Sequence, residues 1–238
     1  MAAALAVRKP GGDRDPMQII CDFDGTISRR DTTDLVLERL ADARWHALEE
    51  AWLAARLSAA ACMRGQVALI GGSQGDLDAV LDTVELDPGF AAFVEWCDTH
   101  GLPISIASDG VDYFIGRILR RHGLERLEVV ANRLAGMAGS WRLEQPWARA
   151  GCASGSGVCK CASASAAAAQ TLVYVGDGRS DFCVSARADI LFAKGALADY
   201  AAARGQAFHP FETFHDVTAT LSRLRDESAR PAARAATL

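Results

Sequence analysis

Lysine is almost absent from this 238-residue chain: of 25 basic residues, only Lys9, Lys160 and Lys194 are not arginine. With the heavy alanine content this reads as coding bias, and it makes Lys160 worth following. Also missing is any excess of positive charge. The net charge of -5, with basic residues scattered rather than striped, excludes a nucleic-acid footprint and points to a small-molecule partner. No apolar run approaches the ~20 residues of a membrane span. The alanine-rich start, Met1 to Val7, is too short for a secretory hydrophobic region, so a cytoplasmic protein with no membrane partner is expected. The seven cysteines are odd in number, and Cys21, Cys62, Cys97 and Cys183 sit in apolar runs, which suits reduced, buried thiols better than a disulfide framework. What is plentiful is hydrophobic surface, 50% of residues, enough at this length for one large domain or a core with a smaller companion.

Residues 1–16 carry no periodicity and are expected to form a disordered tail, with Met1 or Met17 as the start; residues 227–238 read as a second tail. Between residues 31 and 86 the apolar spacing is helical (Leu35, Val36, Leu40; Trp45, Leu48, Trp52; Val67, Leu69, Ile70), which predicts an all-helical insert. Segments 17–30 and 87–226 alternate short apolar runs with helical stretches. They include a strand over Pro103 to Ala107, a hairpin turning near Gly136 and Gly139, and an Ala/Ser/Gly/Cys-rich loop over 149–169 leading into a helix. This alternation predicts an α/β, doubly wound, mainly parallel Rossmann-like sheet with helices on both faces.

Gln-Ile-Ile-Cys-Asp-Phe-Asp-Gly-Thr, residues 18–26, ends a buried strand with Asp22 and Asp24. Residues two apart in an extended chain point the same way, and carboxylates so placed repel unless a cation lies between them; oxygen ligands suit Mg²⁺. Alone, the pair reads more readily as an Asx-type turn capping the strand. Three further pieces follow in order: Ser108-Asp109-Gly110, Lys160, and Gly176-Asp177-Gly178-Arg179-Ser180-Asp181. Singly these are turns, a helix cap and a surface lysine; jointly they supply what phosphoryl transfer needs. Asp22 is the candidate nucleophile, and Asp24 the acid and base that also lends its backbone carbonyl to the metal. Asp177 is a second metal carboxylate, and Asp181 holds a water on the metal or orients Lys160. Ser108, the amides of Asp109 and Gly110, and Lys160 are candidate phosphate ligands.

These residues resemble the four motifs of the haloacid dehalogenase superfamily of aspartate-nucleophile, Mg²⁺-dependent phosphatases, over residues 18 to about 225. The helical insert is similar to that superfamily's small cap in the phosphoserine phosphatase branch, and the resemblance implies that it closes over the site and selects a small phosphorylated metabolite. Residues 145–161, ending Val-Cys-Lys-Cys, look most like the approach to the catalytic lysine in methionine-salvage phosphatases, which act on 2-hydroxy-3-keto-5-methylthiopentenyl-1-phosphate; phosphoethanolamine and phosphocholine phosphatases share a similar approach. Phosphoserine phosphatases carry an acid matched by Asp31 and a cap arginine that falls here on Gln66, with Arg64 nearby. Without that bidentate partner phosphoserine is disfavoured. Cys152, Cys159 and Cys161 lack an evident fourth ligand and read as packed thiols rather than a Zn²⁺ site. Trp45 and Trp52 read as core of the insert, and the five histidines show no ligand spacing. A phosphoacceptor receiver domain is the non-enzyme alternative; it needs neither the insert nor Asp24. Phosphotransfer to an alcohol uses the same residues, and monomer and homodimer are both compatible with them.

Overall fold

The computed structural model describes residues 17–166 and 170–229. In chain order the elements are β1 (Met17–Cys21), α1 (Thr32–Leu40), α2 (Trp45–Leu53), α3 (Ala59–Val67), α4 (Gln74–Leu81), α5 (Phe90–Thr99), β2 (Ile104–Val111), α6 (Asp112–Arg121), β3 (Glu128–Met137) and β4 (Ser140–Glu144). Then come α7 (Lys160–Ala166), β5 (Thr171–Gly176), α8 (Phe182–Ser185), β6 (Ile190–Ala193), α9 (Gly195–Ala203), β7 (His209–Pro210) and α10 (Phe214–Ala229). The seven strands form one sheet in the order β4-β3-β2-β1-β5-β6-β7. Every pair is parallel except the β3–β4 hairpin.

Alternation along the strands builds a core on each face. Ile19, Cys21, Val173 and Val175 face one way, toward Phe93, Phe114 and Phe214 of α5, α6 and α10. Ile20, Leu172 and Tyr174 face the other way, toward Val184, Leu197 and Ala201 of α8 and α9. The chain winds outward through β2 and β3, then crosses to β5 on the other side of β1. The strand order therefore reverses at β1, where the carboxyl ends of an open parallel sheet leave a crevice.

Helices α1–α4 occupy the segment expected to be helical, and their starts are chemically marked. Asp31 caps α1 by accepting from the Asp34 amide, Ser58 caps α3 through the Ala61 amide, and Ser73 with Asp76 forms a capping box on α4.

Two expectations need correction. The strand expected to stop at Ala107 continues to Val111, because a bulge lets it pair on with β3: Ala107 faces Val130, whereas Val111 faces Asn132. Ser108, Asp109 and Gly110 sit in that bulge, released from the regular ladder beside the crevice. Residues 227–229, expected to open a tail, are helical, since α10 continues to Ala229. The remaining residues of the two expected tails, 1–16 and 230–238, lie outside the described residues.

Candidate active site

Three strand ends meet at the crevice. Asp22 follows β1 directly and is 4% exposed. One of its oxygens accepts from the Phe23 amide at 2.7 Å, and the other lies 2.8 Å from Lys160 Nζ. Lys160, first residue of α7 and 1% exposed, also contacts Asp181 at 2.6 Å and Ser180 Oγ at 2.8 Å. Asp177 follows β5. Its Oδ1 accepts from the Thr26 hydroxyl at 2.6 Å, and its Oδ2 packs so close to Gly25 that a Cβ there would sit 2.5 Å away. Gly25 also has φ +72°, so this turn needs glycine for both its conformation and its clearance.

Asp181 is fully occupied by protein donors. Besides Lys160, Tyr174 OH donates to Oδ1 at 2.6 Å, while the amides of Asp177 and Gly178 donate to Oδ2 at 3.1 and 3.0 Å. Of the two roles expected for it, orienting Lys160 is the one its contacts fit. Asp24 turns one oxygen to Thr32, which donates its amide at 2.8 Å and its hydroxyl at 2.6 Å. Its other oxygen faces Gly110, where a Cβ would approach to 2.5 Å. Ser108 is 1% exposed, its hydroxyl oxygen accepting from the Gly110 amide at 3.0 Å. Asp109 works sideways: its carboxylate accepts from the Val158 amide at 3.0 Å and from Asn132 Nδ2 at 3.2 Å, tying the bulge to the loop before Lys160.

The electrostatics follow from crowding three carboxylates around one ammonium. Burial and the neighbouring charge of Asp181 push Asp22 above the ordinary carboxylate range, with Lys160 pulling the other way. Burial would raise Asp181 too, but Lys160 and the hydrogen bonds it accepts hold it below that range. Lys160, despite burial, is held protonated by Asp181 and Asp22. Burial, then the charge of Asp31, raises Asp24 to about 7. The carboxylate oxygens of Asp22, Asp177 and Asp181 lie within 4.8 Å of one another and form the one group of metal-ligating side chains among the described residues. An all-oxygen set with excess negative charge fits a hard divalent cation.

Above this floor is a cleft of about 580 Å³ whose far wall comes from α1–α3, with Asp31, Trp52, Met63 and Gln66 among its lining. Gln66 is 8% exposed, and its side-chain amide has no hydrogen-bond partner among the described residues. Asp31 stays open to the cleft while it caps α1. Arg64 instead donates to Gln145. The two tryptophans of α2 part company: Trp45 is core at 7% exposure, whereas Trp52, expected there too, borders the cleft with the Arg179 guanidinium 5.7 Å from its ring centre. Cys183 also departs from expectation, being half-buried and lining the cleft. Contacts made by Thr32, Tyr174 and Asn132 were not legible in the sequence. Thr26 carried a signal, as the residue closing the Asp-Gly-Thr turn.

The fold and site define a class, a doubly wound α/β core with strand-end aspartates and a helical insert. Residues 19–185 match the model of the haloacid dehalogenase-like hydrolase family. The chain is 30% identical over 206 residues to the 2-hydroxy-3-keto-5-methylthiopentenyl-1-phosphate phosphatase of Exiguobacterium sp., covering 84% of this chain and 95% of that one. It is 31% identical over 212 residues to the protein of the same name from Geobacillus kaustophilus, covering 87% and 96%. Among solved structures, a phospho-aspartyl intermediate analogue of phosphoserine phosphatase superposes with TM-score 0.64 at 17% identity, covering 89% of this chain and 99% of that one. A haloacid dehalogenase family hydrolase from Salmonella enterica serovar Typhi gives 0.68 at 18% identity, covering 87% and 71%. The chain belongs to the haloacid dehalogenase-like hydrolase family, and it is a phosphatase.

Proposed function

We propose that this phosphatase hydrolyses a small phosphorylated metabolite lacking a carboxylate, through an aspartyl-phosphate on Asp22, with 2-hydroxy-3-keto-5-methylthiopentenyl-1-phosphate as its substrate. The observation that carries the chemistry is the buried Lys160 between Asp22 and Asp181, with Asp24 two residues beyond the nucleophile. Asp22, Asp177 and the backbone carbonyl of Asp24 would hold Mg²⁺. When bound, this ion offsets the surplus carboxylate charge and lets an anionic nucleophile approach an anionic phosphate.

The chain's own residues supply the rest. Lys160 places its charge beside Asp22, and Ser108 with the bulge amides donates to the phosphoryl oxygens. Asp22 attacks phosphorus as the ester oxygen departs on the opposite side. Asp24, whose acid form persists up to about pH 7, gives its proton to that oxygen, then takes one from the water that attacks the aspartyl-phosphate. Asp181 positions Lys160 rather than touching substrate.

Support for the substrate comes from the cleft wall and the named relatives. Met63, Cys62 and Trp52 suit an apolar, thioether-bearing tail, and Gln66 offers a neutral amide to a carbonyl or hydroxyl. Asp31, Asp34 and Glu49 on the same cleft favour phosphoethanolamine or phosphocholine as a second reading. A panel with Mg²⁺ containing these three esters and phosphoserine tests both. Phosphate release is expected from the thioether ester foremost, and Asp22→Asn is expected to abolish it. No release across the panel, or full turnover by the variant, would sink the proposal.

A further inference from the structure

Two thiols touch beside the lysine. Cys161 Sγ lies 3.3 Å from Cys183 Sγ, with no room for an atom between them. Cys161 directly follows Lys160 at the start of α7, and Cys183 lies in α8, two residues after Asp181. The pair thus bridges the same segments that the 2.6 Å Lys160–Asp181 contact joins. Cys183 opens on the cleft, whereas Cys161 packs against the core containing Ala164, Tyr174 and Val184. Neither thiol has a part in the phosphoryl-transfer chemistry above.

We propose that Cys161 and Cys183 are an oxidation site, at which peroxide closes a disulfide across the α7–α8 contact and disables the adjoining lysine. Its effect on turnover rests on the phosphatase reading; formation of the bond does not. Hydrogen peroxide entering the cleft oxidises the Cys183 thiol to a sulfenic acid, releasing one water. Cys161 sulfur then attacks the Cys183 sulfur, expelling the sulfenic oxygen as a second water. In all, two thiols lose two electrons and two protons to one peroxide. Burial and the Cys183 thiol push Cys161 up to about 12, which disfavours it as the first thiol to react with peroxide, and the 3.3 Å contact then places it on the Cys183 sulfur.

The consequence is geometric. Drawing the sulfurs from 3.3 Å to a disulfide length of about 2.05 Å imposes the fixed dihedral of that bond and ties the start of α7 covalently to α8. Lys160, the neighbour of Cys161, is held on three partners within 2.8 Å at 1% exposure, so any displacement of the start of α7 that accompanies bond closure is passed to its contact with Asp22. The competing target is Cys152, which hydrogen bonds from Ser154 and Ser156 hold below the ordinary thiol range against the effect of burial, with Cys159 as its thiol partner.

The test uses reduced full-length protein with Mg²⁺, exposed to graded hydrogen peroxide, alkylated, and mapped by mass spectrometry alongside turnover. A Cys161–Cys183 linked peptide is expected, its amount tracking a loss of roughly 10- to 100-fold in turnover. Dithiothreitol should reverse both, and Cys161→Ser, with Cys161→Ala as a second variant, should keep basal turnover and resist peroxide. A loss of turnover explained by a Cys152–Cys159 peptide, a Cys161–Cys183 bond with turnover unchanged, or no disulfide at all would each overturn the proposal. Absence of turnover in the reduced protein would overturn the phosphatase reading instead, because the linked peptide is read without substrate.

Discussion

Thr32 gives both its backbone N–H and its hydroxyl to one oxygen of Asp24, at 2.8 and 2.6 Å. Thr32 is the first residue of α1, so the insert that walls the cleft also aims the candidate acid of the core. Thr32→Val removes the shorter of these bonds at nearly constant volume and is expected to lower kcat roughly tenfold for alkyl phosphates, a part of the ~10²–10⁴ that a positioned acid supplies. For p-nitrophenyl phosphate, whose leaving group needs no proton, the loss should be small, and Thr32→Ser should restore most of it. Equal losses on the two substrates would mean that Thr32 holds the fold rather than the acid.

The protonation of Asp24 sets a pH limit with a definite sign. Burial and the charge of Asp31 raise its pKa to about 7, so the acid form is present below that pH and lost above it. Turnover of alkyl phosphates should therefore fall as pH rises through about 7, with p-nitrophenyl phosphate falling less. Asp31→Asn removes the repelling charge while keeping a side chain able to cap α1, so the alkaline limb should move to lower pH. A pH–kcat profile of the two proteins checks this, and an unmoved limb would assign the titration elsewhere.

The parts legible in the sequence were those fixed by strand geometry. Asp22, Ser108 and Asp177 each follow a short apolar run, and parallel neighbours bring such ends together whatever lies between, which is why residues 22 and 177 could be paired across the chain. The bulge that carries Ser108 past Ala107 depends on pairing with β3, and no local pattern announces it. Trp45 and Trp52 share a helical face by spacing, yet α2 buries one end and leaves the other on the cleft. The Cys161–Cys183 contact depends on two helices packing, so composition could only suggest reduced thiols.

Lys160 is also a structural charge. Replacing it by Met leaves Asp22 and Asp181 buried without their partner, which should cost about 3–5 kcal/mol of unfolding free energy at neutral pH. The sign with pH follows from Asp181, whose folded pKa lies below the ordinary value. Its stabilisation is present above the unfolded pKa of about 3.9 and is lost as pH falls through the folded one, so the gap between wild type and variant should narrow in acid. Urea unfolding at two pH values reads this directly. In the same assay Mg²⁺ should stabilise wild type over a chelated control, by about 2.7 kcal/mol at a hundredfold excess over Kd, and Asp177→Asn should lose that gain.

Gln66 offers the sharpest test of selectivity because it is buried, borders the cleft and has an unengaged amide among the described residues. A substrate carboxylate arriving there meets Asp31, Asp34 and Glu49 on the same cleft and no bidentate cation at this position. Gln66→Arg supplies that cation close to the acidic side chains, which offset its desolvation. The kcat/KM for phosphoserine is expected to rise by about tenfold, and that for a neutral-tailed ester to fall, since one charge-assisted contact is worth roughly 1.5–3 kcal/mol. The ratio of the two, measured in one preparation, cancels any general loss of fold. If it stays unchanged while both values drop, Gln66 is a packing residue, and substrate choice lies with Trp52 and the acidic side chains instead.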